Sequence, residues 1–460
     1  MRVAVVGAGV AGLAAVLEVR TLCPRAEVVL LESSGRVGGK LTRSEVGGVV
    51  VDEGADSMLT RVPEGVDLAR DAGLEGELVA PAAGQASLWS RGRLVDLPTG
   101  TLLGIPTDLA SLARSELLSS RGLLRVPLDL VQPGAPVVED ISVGDLVARR
   151  FGREVVERLV DPLLGGVYAG RAELLSLQAT LPQLVAPAAH HRSLLLAARE
   201  ARGAAPAPGG SIFAGIPGGM GRLAEQALVA GGAELRLHTC VRAMSRTPSG
   251  WRLCTGSAAD PAVLDADAVV IAVPAGPAGR LLEGLAPVLE LDYASVAIVT
   301  LVLDGPAPGR GSGYLVPAVE GRTTKAVTFT SRKWAHLSGG PAVVRASVGR
   351  YGQTRDLQRD DDDLVATVLA ELSAAVGPLP PLIDSRVTRW GGGLPQYAVG
   401  HLDRVRAVKT AVARHPGLAV AGAAYDGVGV PAVARSGRAA ARAAVASAVA
   451  QNGAHDRDQA

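Results

Sequence analysis

The chain has 460 residues, of which 48% are hydrophobic, 20% charged and 3% aromatic, with a net charge of +1. That length predicts two or three domains with large cores, while the neutral balance and scarce aromatic residues argue against a nucleic-acid partner. Cys23, Cys240 and Cys254 lack CxxC spacing, which predicts neither a disulfide framework nor a metal site, and no apolar run reaches the roughly eighteen residues of a membrane span.

The first element is the apolar run Val3 to Val6, a buried parallel strand starting so early that no leader fits before it; a cytoplasmic protein is expected. It opens into Gly7, Ala8, Gly9, Val10, Ala11 and Gly12 and then a helix rich in Ala and Leu. In a nucleotide-binding turn the first glycine makes the bend, the second lets the backbone approach a pyrophosphate, and the third lets helix and strand pack closely. The helix N-terminus supplies free N–H groups and a positive dipole end for the phosphates. A second strand, Val28 to Leu31, ends in Glu32, twenty residues beyond Gly12. A carboxylate there accepts from a ribose 2′-OH and repels a 2′-phosphate, so NADP is disfavoured.

Beyond residue 60 the pattern is mixed. Proline-rich breaks fall at 133–136 and 204–210, the second a linker between domains, and residues 142–200 have helical periodicity. From Pro217 the strand and helix patterns of the first domain return. Residues 293–304 and 341–350 read as strands of a separate sheet and 363–376 as a helix; near 385 the chain goes back to the first domain through Ser385 to Trp390. The last ten residues are polar and are expected to be disordered.

Glu32 to Lys40, with Gly38-Gly39 before the lysine, resembles the segment that follows the ribose acid in FAD oxidases of the amine oxidase and phytoene desaturase type, and it moves the expected cofactor from NAD to FAD. Residues 419–441 resemble the closing segment of the same group, which lies beside the flavin ring. Over nearly its full length the chain is similar to the oxygen-dependent protoporphyrinogen and coproporphyrinogen oxidases of haem synthesis in their bacterial soluble form. The segments that carry this resemblance are Asp52 to Ser57, Gly104 to Thr107, Asp161 to Gly170, Leu175 to Leu177, His191 to Leu194, Pro217 to Met220, Pro395 to His401 and Tyr425 to Pro431.

The resemblance implies an α/β and α+β fold: a discontinuous Rossmann-type FAD-binding domain (1–75, 211–285 and 385–450), a mixed-sheet substrate domain (76–100 and 286–384), a helical subdomain (101–205) and a tail (451–460). It places FAD on Gly7, Ala8, Gly9, Val10, Ala11, Gly12, Glu32, Ser33, Lys40, Gly54, Ala55, Asp56, Ser57, Val241, Trp390, Ala423, Val428, Gly429 and Val430. It also implies removal of three hydride equivalents from a porphyrinogen, with O2 as acceptor and three H2O2 as product, and needs no protein nucleophile or metal. Such a substrate is an apolar disc edged by carboxylates, for which Arg61, Tyr168, Arg171, Arg192, Lys325 and Lys333 are candidates in or near the matching segments. Arg171 departs from the family, which usually has Asp after the Tyr-Ala-Gly run. Gly84-Gln85 followed by Ala86 to Trp89 looks like the Gram-positive, coproporphyrinogen-oxidising branch, so coproporphyrinogen III is favoured over protoporphyrinogen IX, with transient handover to a ferrochelatase as a further expectation. A related FAD oxidase of amines or carotenoids, a non-catalytic flavin scaffold and simple NAD binding are the alternatives.

Overall fold

Five short apolar strands from distant parts of the chain form one parallel sheet in the order Glu234–Arg236, Glu27–Leu31, Arg2–Val6, Ala268–Ile271, Leu418–Val420. The computed structural model describes residues 1–132, 134–203, 211–257 and 259–458, so Pro133 and the linker expected at 204–210 lie outside the described residues. The inner strands read as unbroken apolar runs because both faces are covered. On one face lie helices Val10–Leu22, Gly221–Gly231 and Val430–Asp458; on the other, a three-stranded antiparallel sheet (Ala243–Thr247, Gly250–Gly256, Pro261–Ala266) brings in the fully buried Trp251. The first and last of these helices touch backbone to backbone: a Cβ on Gly437 would run into the Ala11 carbonyl oxygen. Between them the buried Glu18 accepts from Arg438 at 3.2 Å and from Arg442 at 2.6 Å.

A seven-stranded sheet runs Leu382–Pro395, Tyr293–Leu303, Ala342–Val348, Thr324–Phe329, Gly313–Leu315, Ala86–Ser90, Arg93–Asp96, all antiparallel except where 313–315 meets 86–90. Helix Asp361–Val376 covers one of its faces. Strand 382–395 corrects the boundary expected at 385: it pairs with Tyr293–Leu303 from Leu382 to Pro395, so Trp390 belongs to this sheet. A strand's alternation is the same whichever sheet it joins, and the return to the parallel sheet is made by helix His401–Val412 and strand Leu418–Val420.

Helices between Leu109 and Gly203 pack around Leu146, Val147, Phe151, Leu159 and Leu164. Their starts are set by side-chain caps, with Asp108, Ser142 and Ser176 accepting from backbone N–H groups of the first turn. The tail departs from expectation. The last helix continues to Asp458, since alanine-rich sequence propagates a helix beyond its packed part, and of residues 451–460 only 459 and 460 lie outside the described residues.

Candidate active site

At the N-terminal turn Gly7 has a φ of +103° that a side chain rarely adopts, and its N–H donates to the Leu31 carbonyl at 2.7 Å. A Cβ on Gly12 would run into the Gly7 carbonyl oxygen, so the helix sits as close to the strand as glycine allows. Gly9 differs. Its backbone is extended (φ −75°, ψ −178°), it caps helix Val10–Leu22, and a Cβ there would meet nothing within 4 Å. Space at the N-terminal end of a helix, before the backbone of Ala8 to Gly12, is what a pyrophosphate needs.

Glu32 ends the neighbouring strand and accepts from the Ala8 N–H at 2.9 Å and the Ser34 N–H at 2.8 Å, with the Ser33 hydroxyl at 3.4 Å. Burial alone would raise its pKa, but the Ser34 and Ala8 donors outweigh it and hold the carboxylate below its usual range. Across from it Thr239 and His238 donate their N–H groups to the carbonyls of Glu32 and Ser34, which ties Val241, buried two positions on, to the Glu32 end of the turn. Glu32→Ala is expected to weaken FAD retention by about tenfold to a hundredfold, the value of a charge-assisted hydrogen bond of about 1.5–3 kcal/mol. Flavin titration of the apoprotein checks this, and unchanged affinity would remove Glu32 from the ribose.

Next along the site, Gly54 lies under the Lys40 carbonyl, where a Cβ would clash. The Trp390 indole N–H donates to the Glu53 carbonyl at 2.8 Å, its ring lies beside Gly54, and the Arg36 guanidinium stands 5.8 Å from the ring centre. Ala55 donates its N–H to Lys40, which is exposed. Asp56 is bound by Lys333 at 2.9 Å to each oxygen, by the Ser57 hydroxyl at 2.9 Å and by Arg345 at 3.6 Å. Burial opposes ionisation here, but Lys333 and Arg345 outweigh it and hold the Asp56 pKa down to about 2. Asp52 goes the other way: burial pushes it up to about 6 against the backbone N–H of Met220, the charge of Arg345 and the backbone N–H of Gly221. Arg345 also donates to the Gly54 carbonyl at 2.6 Å.

The far end joins two segments distant in sequence. The fully buried Tyr397 ring packs edge-on to Tyr168 at 5.7 Å and stacks on His401 at 4.5 Å, and its hydroxyl donates to the Ala423 carbonyl. Gln396 donates to the Tyr168 carbonyl at 2.8 Å, and the Ser176 N–H donates to the Tyr397 carbonyl at 2.7 Å. Burial raises Tyr168 to about 12 and lowers His401 to about 4, so at neutral pH the phenol keeps its proton and the imidazole is uncharged. Ala423 leads through Gly427, Val428 and Gly429 to Val430, the first residue of the long last helix. A Cβ on Gly429 would meet nothing within 4 Å, so the backbone N–H groups at this helix start are open to an acceptor.

The candidate substrate residues are not gathered. Arg61, Arg171 and Arg192 are exposed, with Arg171 3.8 Å from Glu173; Lys333 is committed to Asp56. Lys325 is 7% exposed in strand Thr324–Phe329, against which the helix bearing Tyr168 packs. Arg345, absent from the sequence-based candidates, carried one signal: it is the lone charge inside the apolar run Pro341 to Val348. Gln396 and His401 stood within a matching segment without an assigned role.

The family described as flavin containing amine oxidoreductase matches residues 10–445. A coproporphyrinogen III oxidase of Mycobacterium tuberculosis (strain ATCC 25618 / H37Rv) is 36% identical over 445 residues, 95% of each chain. One of Bacillus subtilis (strain 168) is 32% identical over 465 residues, covering 95% of this chain and 96% of that one. Among solved structures, one from Exiguobacterium sp. 255-15, named for a protoporphyrinogen oxidase, superposes with a TM-score of 0.85 at 32% identity, covering 96% of this chain and 98% of the other.

Proposed function

The chain belongs to the flavin containing amine oxidoreductases, and on that premise we propose that it oxidises coproporphyrinogen III to coproporphyrin III, with FAD as cofactor and O2 as final acceptor, releasing three H2O2 per porphyrin. The observation that carries the reading is the interlock of Tyr168 with Gln396 and Tyr397 at the Ala423 carbonyl. It ties the two segments that set these oxidases apart from other flavin amine oxidoreductases to the turn beside the ring. The names of the relatives, coproporphyrinogen III oxidase at 36% and 32% identity, agree with it.

FAD fits the residues present. The space at Gly9 would receive the pyrophosphate, Glu32 and Ser33 would hold the ribose, Val241 the adenine, Lys40 the phosphate side, Gly54 to Ser57 and Trp390 the ring, and Ala423 with Val428 to Val430 its polar edge. When bound, FAD supplies a hydride acceptor at N5. A methylene bridge of a porphyrinogen is a hydride donor because the adjacent nitrogen-bearing rings stabilise the cation left behind. The conversion removes six hydrogens, four from the methylene bridges and two from the pyrrole nitrogens; three leave as hydrides and three as protons, and each hydride and proton together would reduce one O2 to H2O2. The chain supplies position and dryness. The Tyr168–Tyr397–His401 stack is buried and uncharged, and the Asp56–Lys333–Arg345 group fixes the loop at Gly54 by bonds to helix Thr330–Lys333 and strand Ala342–Val348. Among the described residues no helix is long and apolar enough to cross a membrane. A cytoplasmic setting, with product passed to a ferrochelatase, completes the proposal.

The test is anaerobic. Coproporphyrinogen III added to the yellow protein is expected to bleach the flavin, and admitting O2 to restore it with three H2O2 per coproporphyrin formed; a flavin that stays oxidised refutes the reading. For specificity, kcat/KM for coproporphyrinogen III should exceed that for protoporphyrinogen IX by about tenfold per lost carboxylate contact, since a buried donor left unpaired costs about 1–3 kcal/mol. Detergent and oxygen are held equal. Preference for protoporphyrinogen would overturn the substrate and leave the flavin chemistry standing.

A further inference from the structure

The segment from Gly422 to Val430 is held from outside itself. Gly422, Gly427 and Gly429 have φ of +120°, +110° and +96°, a region that side chains rarely adopt and that glycine enters at an entropic cost. Among the described residues nothing accepts from the N–H groups of Gly427, Val428, Gly429 and Val430. Three anchors fix the backbone around them. The Tyr397 hydroxyl donates to the Ala423 carbonyl, Lys409 in helix His401–Val412 donates to Asp426, and Ser436 in the last helix, 2% exposed, takes both ends of the turn. Its oxygen accepts from the Gly422 N–H at 2.9 Å, and its hydroxyl donates to the Asp426 carboxylate. A serine inside a helix commonly bonds back to the carbonyl four residues before it; Ser436 gives its proton to Asp426 instead. The next residue, Gly437, is pressed against the Ala11 carbonyl, and a Cβ on Gly422 would stand 4.0 Å from the Ala11 side chain, so one turn of the last helix meets both the first helix and the Gly422 segment.

We propose that Ser436 and Asp426 are positioning residues for the flavin, holding the Gly422 to Asp426 turn so that the N–H groups of Gly427 to Val430 stay aligned on the polar edge of the ring. This rests on the placement of the ring given under Proposed function. A glycine-rich segment without bonds of its own samples many conformations, and donors aligned in advance bind an acceptor without the cost of ordering them. Hydrogen bonds strengthen as the acceptor gains negative charge, so aligned donors favour the reduced ring over the oxidised one, and loss of alignment acts on affinity and on potential. The Lys409–Asp426 pair itself adds little, since the two side chains are 41% and 27% exposed.

Ser436→Ala is the test because it changes no charge. The variant is expected to hold oxidised FAD about tenfold more weakly and reduced FAD about a hundredfold more weakly, so that its two-electron midpoint potential falls by about 30 mV, the equivalent of that tenfold difference. Flavin titration of the apoprotein and anaerobic reduction against a reference dye give the two values. A Ser436→Ala protein with wild-type affinity and potential overturns the inference, and so does a weaker affinity with an unmoved potential, which is what a merely looser fold would give. If Ser436→Ala does not fold, Asp426→Ala and Asp426→Asn decide. They share a charge and differ in the oxygen offered to Ser436, so the Ala variant is expected below the Asn variant by the same factors, and equal values overturn the inference. A wild-type protein that takes up no flavin defeats the placement on which this rests, a result distinct from a yellow wild type whose variants are unchanged.

Discussion

Gly9→Val is expected to give a folded protein without flavin, and Gly12→Val a protein that does not fold. The two glycines are three positions apart in one turn and fail for different reasons. Gly9 has φ −75° and ψ −178°, which valine adopts freely, and a Cβ there meets nothing within 4 Å, so the apoprotein tolerates the isopropyl group. What the side chain fills is the approach path of the pyrophosphate. Gly12 has no such latitude, because its Cβ would run into the Gly7 carbonyl oxygen and press Val5. A backbone oxygen cannot swing aside as a side chain does, and overpacking of that kind costs about 3 kcal/mol or more. Circular dichroism and the 450 nm flavin band, measured together, separate the cases. A yellow Gly9→Val would place the cofactor elsewhere.

The second large effect is expected at Asp56. Asp56→Asn leaves Lys333 and Arg345, with side chains 15% and 8% exposed, facing one another without their carboxylate. Removing one partner from a buried ion pair costs about 3–5 kcal/mol, to be read as a fall in the urea midpoint at pH 7.5. The pH dependence carries a sign. Asp56 is held at about 2 in the folded protein, below the usual carboxylate range. Its contribution is therefore complete above the unfolded pKa of about 4 and is lost as pH falls through about 2, and the variant should lack that acid step. Asp52, raised to about 6, favours folding at low pH, and that stability is lost as pH rises through about 6. Asp52→Asn is thus expected to raise stability at pH 7.5 by about 1–3 kcal/mol and to change it little at pH 4. A stability change equal at both pH values would assign the effect to packing.

What local spacing encodes was legible in the sequence. Gly7, Gly9, Gly12 and Glu32 lie within one strand, turn, helix and strand, and the bend at Gly7 and the close packing at Gly12 follow from backbone geometry that some thirty residues determine. The helical periodicity within 142–200 and the strands at 293–304 and 341–350 were legible for the same reason. The far end of the site, around Tyr397, was not legible from spacing. Tyr168 meets Tyr397, and Tyr397 meets Ala423, only through tertiary packing, and resemblance alone marked those segments. Charges were the least legible of all. Lys333 reads as a free cation until the fold brings Asp56 to it, and Lys325 reads as one more surface lysine until a helix covers it. The boundary at 385 failed because alternation does not name the sheet a strand will join.

The close crossing of the first and last helices has a temporal consequence. Ala11 lies in the first turn of the helix that follows the bend at Gly7, yet the surface that completes its packing comes from Gly437, and strand Ala268–Ile271 waits for its partner at Leu418–Val420. A ribosome adding about 5–20 residues per second leaves the first helix without its last neighbour for roughly 20–90 s. During that interval the face of the first helix that Gly437 will cover, at Ala11, stays open beside an unfilled strand edge. Stable retention of the cofactor is therefore expected only once synthesis is almost complete. Its yield in a cell should depend on chaperone supply and translation speed, and a C-terminal truncation that removes the last helix should aggregate rather than bind flavin weakly.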